Sequence, residues 1–177
     1  MPNLVEIDPG KKFPGISRFV VEIPKNSTNK YEFDAELGLF RLDRPLYSPL
    51  YYPGDYGFIP GTTSEDGDPL DVLCMVQHEC FPGCLYEIRP VGLLDMIDQG
   101  QDDRKILAVP LNDPRYLEIR NVSDIAAHTR REIEHFFTIY KQLEGKKTRV
   151  GGWRSGGQAQ RIMAASRRRY LAAHTAV

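Results

Sequence analysis

The chain has little cysteine, no long apolar run and no excess of either charge, and each lack excludes something. Three cysteines, Cys74, Cys80 and Cys84, are an odd number among 177 residues, whereas a disulfide scaffold pairs its cysteines. With His78 they can be drawn as a zinc site, but the spacings match no common zinc pattern. Cys74 also sits inside an apolar, strand-like run, so the thiols read as small hydrophobes. No apolar stretch approaches the roughly 20 residues of a membrane span. The opening Met-Pro-Asn-Leu-Val-Glu lacks the basic and apolar regions of a signal peptide. A cytoplasmic protein is expected. The net charge is -1, which gives no electrostatic footprint for nucleic acid or a membrane surface. No repeat, low-complexity tract or long linker divides the chain, so residues 1–177 are expected to form one domain.

One local absence is the most informative. No Lys or Arg lies between Arg44 and Arg89, and within that gap Glu65, Asp66, Asp68 and Asp71 place four carboxylates in seven residues. Close like charges cannot all stay ionised without a counter-charge. Gly67 and Pro69 argue for a rigid turn, and apolar segments flank it. Carboxylates held together with no cation of their own require a hard divalent metal. An EF-hand loop starting at Asp66 is excluded, because its fifth, sixth and twelfth positions would be Leu70, Asp71 and Gln77.

The first two-thirds of the chain reads as β-structure with Gly and Pro punctuation. Phe19, Val21 and Ile23 alternate with Val20 and Glu22. Tyr31 and Phe33 alternate with Lys30, Glu32 and Asp34, and a hairpin turn at Leu37-Gly38 returns through Phe40 and Leu42 to Arg44. Leu70 to Val76 is expected as a strand buried on both faces. Ile88 to Met96 and Lys105 to Leu111 flank a polar, acidic loop. The last third is expected to be helical. Ile133, Phe136, Phe137, Tyr140 and Leu143 form one helical stripe, with Gly145 as its stop, and a second helix covers Gln158 to about Ala172. Strands followed by helices indicate an α+β, mainly β domain built on a small barrel.

Further groups stand beside the acidic turn. Asp98, Asp102 and Asp103 occupy the later acidic loop, an ordinary hairpin tip unless it converges on the first. Period two puts Lys30 and Glu32 on one strand face, and Glu22 is placed on the paired strand. Lys30, Arg44, Lys105 and Lys141 are candidate cations for an anionic substrate. Tyr140 lies on the apolar stripe, yet its hydroxyl can emerge at a pocket rim, as can those of Tyr52 and Tyr56.

Together these residues resemble a family. Asp66-Gly-Asp-Pro-Leu-Asp-Val72 is similar to the signature of soluble (family I) inorganic pyrophosphatases. Glu22-Ile-Pro, Lys30-Tyr-Glu32, Asp43-Arg44, Tyr52-Pro-Gly-Asp-Tyr56-Gly, Asp98, Asp103, Lys105 and His135-Phe-Phe-Thr-Ile-Tyr140-Lys141 follow in the family's order, over about Val20 to Trp153. The neighbour of Asp98 is Gln99, where relatives can carry an acid. Cys80, Cys84 and the Arg167–Arg169 run lie outside the pattern. The resemblance implies an OB-like five-stranded β-barrel with C-terminal helices packed outside. It implies several Mg²⁺ ions per active site, with Mn²⁺ a substitute. Asp66, Asp71 and Asp103 would bind the first ion and Asp71 would be shared with a second. Asp98 and Asp103 would bind one that arrives with substrate, and Glu32 a further one through water. Asp68 would be the general base. Lys30, Arg44, Tyr56, Lys105, Tyr140 and Lys141 would grip phosphate, with Glu22 and Tyr52 in support. The partner implied is inorganic pyrophosphate, with no nucleic acid or membrane, and the assembly a homohexamer of two trimers.

Two other classes compete. A metal-dependent nuclease or nucleotide phosphohydrolase would also want clustered carboxylates, but no base-stacking or adenine-binding pattern is present. A non-enzymatic OB module for single-stranded nucleic acid would want a basic, aromatic-lined groove, and the near-neutral charge disfavours it.

Overall fold

Alternating apolar residues make β1 (Ser17–Ile23) a strand, and one irregularity sets its role. The structure is a computed structural model that describes residues 3–174. Phe19 and Val21 of β1 enter one apolar core and Ile23 enters the other. Strict alternation would put all three on one face. The register against β4 (Asp55–Ile59) supplies the reason. Val21 lies opposite Gly57 and Ile23 opposite Tyr56, so Glu22 is an extra, bulged residue. A bulge re-aims a side chain. The opposing strand must come close to accommodate it, and a Cβ on Gly57 would lie 2.0 Å from the Val20 carbonyl oxygen.

Five strands close a ring. β1 pairs antiparallel with β4, and β4 with β5 (Leu70–Cys74). β5 runs parallel to β8 (Lys105–Pro110), which pairs antiparallel with β6 (Leu85–Asp98). The start of β6 returns to β1 and completes the barrel. The far half of β6 carries β7 (Gln101–Asp102) across a tight turn and β9 (Thr148–Ser155) along its other edge. A separate hairpin, β2 (Asn29–Asp34) and β3 (Leu39–Pro45), turns at Gly38 as expected.

Barrel strands are apolar on both faces because both faces are covered. In β5, Leu73 joins the core beneath α1 (Ala127–Ile139), while Leu70, Val72 and Cys74 join the core beneath α2 (Gly156–His174). The expected double burial of this strand is therefore present. Ile133, Phe136, Phe137 and Tyr140 fill the first core. Ala159 and Met163 of α2 enter the second. The fold is the mainly β, five-stranded barrel with packed helices that the sequence implies. Among the described residues, no helix is long and apolar enough to cross a membrane.

Three expectations need correction. The last third is not wholly helical, because β9 lies between the two helices. Gly151 and Gly152 interrupt its alternation at a bulge, which hides its period from the sequence. Leu143 leaves the apolar stripe and is exposed, since α1 ends at Ile139 and a 3₁₀ turn follows before the left-handed Gly145. Glu22 is not laddered to β2: its Oε1 accepts a hydrogen bond from the Phe33 amide at 2.9 Å, a side chain standing in for a strand.

Candidate active site

The residues singled out in the sequence arrive from seven strands, the end of α1 and the acidic turns between strands. The bulge on β1 aims Glu22 toward β2, where Lys30 and Glu32 share a face and form an ion pair. The acidic turn is held at its base by buried Thr62, whose hydroxyl accepts from the Leu70 amide at 3.0 Å and donates to the Ile59 carbonyl at 2.6 Å. Within the turn, Asp66 accepts from the Asp68 amide at 3.1 Å and Gly67 takes φ +99°. The segment forms a turn at Gly67, as Gly67 and Pro69 predict. Asp71 stands on β5. Asp98 ends β6, and the Asp103 amide donates to Met96 at 2.9 Å, folding the second acidic loop back over the barrel end. Lys105 opens β8, while Tyr140 and Lys141 follow the last turn of α1.

These elements surround one cavity of about 390 Å³, lined by Glu22, Lys30, Glu32, Tyr52, Tyr56, Asp66, Asp68, Asp71, Asp98, Asp103, Lys105, Tyr140 and Lys141. Arg44 does not line it. Its guanidinium is held by Asp43 and by Glu144, with Nε donating to Glu144 at 2.8 Å, and its Nη2 is buried without a hydrogen-bond partner among the described residues. Sequence reasoning missed Glu144, because nothing in the chain signals an ion pair across 100 residues. It also assigned no role to Asp102, which lines the cavity and pairs with Arg104 at 3.1 Å.

The expectation that the carboxylates have no cation of their own is corrected. Lys105, only 4% exposed, lies between Asp71 and Asp103 and pairs with both. Lys141 pairs with Asp98, and Arg169 of α2 reaches Glu65 at 3.1 Å. As the side chains stand, no three acidic or metal-ligating groups among the described residues close around one point. The lysines do not balance the site, however: eight carboxylates and three lysines line it.

That imbalance appears in the proton affinities. Burial pushes Glu22 up to about 8, against the Phe33 hydrogen bond that favours its charge. Burial also raises Asp103 despite Lys105. Asp68 stands at the cavity mouth. Partial desolvation of its carboxyl, then Asp66 and Asp71, raise it above the usual range. Burial alone would lower Lys105, but Asp71 and Asp103 outweigh it and hold the ammonium charged. Burial keeps Tyr52, Tyr56 and Tyr140 protonated, hence hydrogen-bond donors. The donor set fits hard divalent cations, since the ligating atoms are carboxylate oxygens in excess of their counter-charges. Asp98 Oδ1, buried with no hydrogen-bond partner among the described residues, is one such acceptor.

The family model described as inorganic pyrophosphatase matches residues 19–171. The chain belongs to the inorganic pyrophosphatase family. The inorganic pyrophosphatase of Geobacillus stearothermophilus is 47% identical over 143 residues, covering 81% of this chain and 87% of the relative. That of Leifsonia xyli subsp. xyli is 50% identical over 147 residues, covering 82% and 90%. The crystal structure of inorganic pyrophosphatase from Thermus thermophilus superposes with a TM-score of 0.93 at 43% identity, covering 95% of this chain and 98% of that one.

The protein is therefore an inorganic diphosphatase, a hydrolase of pyrophosphate. For a pyrophosphatase the cavity makes chemical sense. A small multiply charged anion can enter a site rich in carboxylates only together with cations. Lys30, Lys105 and Lys141 are paired with carboxylates of the same cavity. The Arg167–Arg169 run takes a structural place. Arg167 donates to the Gly61 carbonyl at 2.8 Å and pairs with Asp8 at 3.1 Å, while Arg169 donates to the Thr63 carbonyl at 3.2 Å. Together they tie α2 to the segment that leads into the acidic turn.

Proposed function

We propose that the whole chain, as one domain, hydrolyses pyrophosphate to two orthophosphates with Mg²⁺ and with Asp68 as general base. The observation that carries this reading is the excess of carboxylates over lysines in a single cavity that also holds three protonated tyrosines. Asp66, Asp71 and Asp103 would hold the activating ion, with Asp71 shared by a second. Asp98 and Asp103 would serve an ion that enters with substrate, and Glu32 a further one through water. Bound there, Mg²⁺ screens the substrate's charge and lowers the pKa of water toward neutrality, with Mn²⁺ as substitute.

The chain's own groups do the rest. Asp68 takes the proton from water as the water oxygen bonds to one phosphorus and the bond to the bridging oxygen breaks. Its place at the mouth suits contact with solvent. Lys30, Lys105 and Lys141 exchange their carboxylate partners for phosphate oxygens. Tyr56 and Tyr140 donate from protonated hydroxyls, Tyr52 packs behind them, and Glu22 braces β2 through Phe33. Arg44, which stands outside the cavity on Asp43 and Glu144, would have to turn from these partners to bring its guanidinium to substrate. A cytoplasmic homohexamer completes the proposal.

Phosphate release from pyrophosphate should require Mg²⁺ and stop with chelator. Asp68→Asn should fold with a melting temperature no lower than the parent's and lose roughly 10²–10⁴-fold in kcat. Near-normal turnover by that variant would remove Asp68 as base. Light scattering of the native mass tests the hexamer.

A further inference from the structure

A second concave site opens beside the first, with the opposite charge. It is a cleft of about 740 Å³ between the far half of β6, β9 and the start of α2, and Asp102 borders both cavities. Four arginines and two aspartates line it: Arg104, Arg149, Arg154 and Arg161, with Asp95 and Asp102. Arg154 pairs with Asp95, while Arg104 reaches Asp95 at 3.5 Å and Asp102 at 3.1 Å. The carboxylates are thereby used up. Arg149 and Arg161 find no side-chain partner among the described residues, and they come from different elements, β9 and α2.

The backbone of β9 is arranged to place these arginines together. In a regular strand Arg149 and Arg154, five residues apart, would face opposite ways. A bulge against Asp95 and Met96, with Gly152 at φ +99°, shifts the parity. Arg149, Gly151 and Arg154 therefore line the cleft, while Val150 and Trp153 pack against the core on the other side. Gly151 lies close against Asp95, where a Cβ would come within 3.2 Å of the Asp95 Cβ.

We propose that this cleft binds the phosphate chain of a small polyphosphorylated molecule, separately from the hydrolytic site. Arginine forks match phosphate oxygens two at a time, and a concave wall with surplus positive charge focuses the field on an anion. Among the described residues no aromatic ring lines the cleft to stack a base, so recognition rests on the phosphates. The proposal does not depend on hydrolysis.

Calorimetric titration of the full-length protein with tripolyphosphate in excess chelator isolates the cleft, because the metal-free hydrolytic site carries surplus negative charge and repels the probe. Saturable, salt-sensitive binding is expected, with a nucleoside triphosphate binding comparably. The double variant R149A/R161A should weaken it about tenfold or more. Both side chains are exposed, so its melting temperature should match the parent's. Lys141→Ala, in the other cavity, should leave tripolyphosphate binding unchanged. No binding in chelator, binding that survives R149A/R161A, or binding lost with Lys141→Ala would each overturn the proposal. So would binding of the nucleoside triphosphate without tripolyphosphate, since that requires base recognition.

Discussion

Tyr140 shows how one residue can serve packing and chemistry at once. Its ring stacks on Phe136 at 5.4 Å and meets Phe137 edge-on at 5.6 Å, and the residue is only 5% exposed. It nonetheless lines the hydrolytic cavity. Tyr140→Phe keeps the ring contacts, so the melting temperature should hold. Loss of the hydroxyl donor should lower kcat/KM by about 0.5–1.5 kcal/mol of transition-state stabilisation. Lys141→Ala should cost at least as much, because it removes a full charge and leaves Asp98 without its counter-ion. Steady-state kinetics beside thermal melts would settle both, and unchanged kinetics in the two variants would return Tyr140 to packing alone. At this scale the sequence was largely legible, since carboxylate, lysine and tyrosine carry their chemistry in their names. Arg44 was not: whether a guanidinium faces a cavity or two carboxylates depends on Glu144, which only folding brings near.

Among the elements, the bulge on β1 does the most for the site. It turns Glu22 out of the alternation that buries Val21 and Ile23, and it requires a residue without Cβ across the ladder. Gly57→Ala should therefore destabilise the protein by about 1–3 kcal/mol or more, the usual cost of overpacking. It should also lower activity through displaced β1 and β2. Denaturant melts with kinetics check this; a Gly57→Ala protein of normal stability would mean the strands can part without cost. The same device explains what sequence patterning missed. β9 was hidden because its double glycine breaks period two, and Glu22 was placed on a ladder because a bulge is invisible in a single strand's alternation. Strands of regular period were read more closely: the alternation of β2 is present, and β5 ends at Cys74, two residues short of the expected Val76.

At the scale of the whole molecule, charge is balanced in total and segregated in space. The net charge is -1, yet one cavity holds surplus carboxylates and the neighbouring cleft surplus arginines. Burying that negative charge has a pH signature. Glu22 rises from an ordinary 4.5 to about 8 in the folded state, so between these values the folded protein binds more protons than the unfolded chain. Stability should then fall as pH rises through that window. Asp68 and Asp103, also raised, act in the same sense. Unfolding free energies from urea titration of the metal-free protein should decline by on the order of a few kcal/mol in total from pH 5 to pH 8.5. Glu22→Gln should flatten the decline. An equal slope in that variant would place the linked proton elsewhere.

Sequence alone determined the kind of chemistry and the kind of fold. Four carboxylates in a rigid turn with no cation nearby in the chain demand positive charge from elsewhere, and apolar alternation demands a covered sheet. These follow from residue type and local spacing, which the chain carries directly. Tertiary structure decided which cations answer. Lys105 enters between Asp71 and Asp103, Lys141 meets Asp98, and Arg169 crosses from the last helix to Glu65. It also separated an arginine cleft from an acidic cavity on either side of Asp102. The reason is physical: a Coulomb interaction depends on distance and burial, and both are set only when the barrel closes.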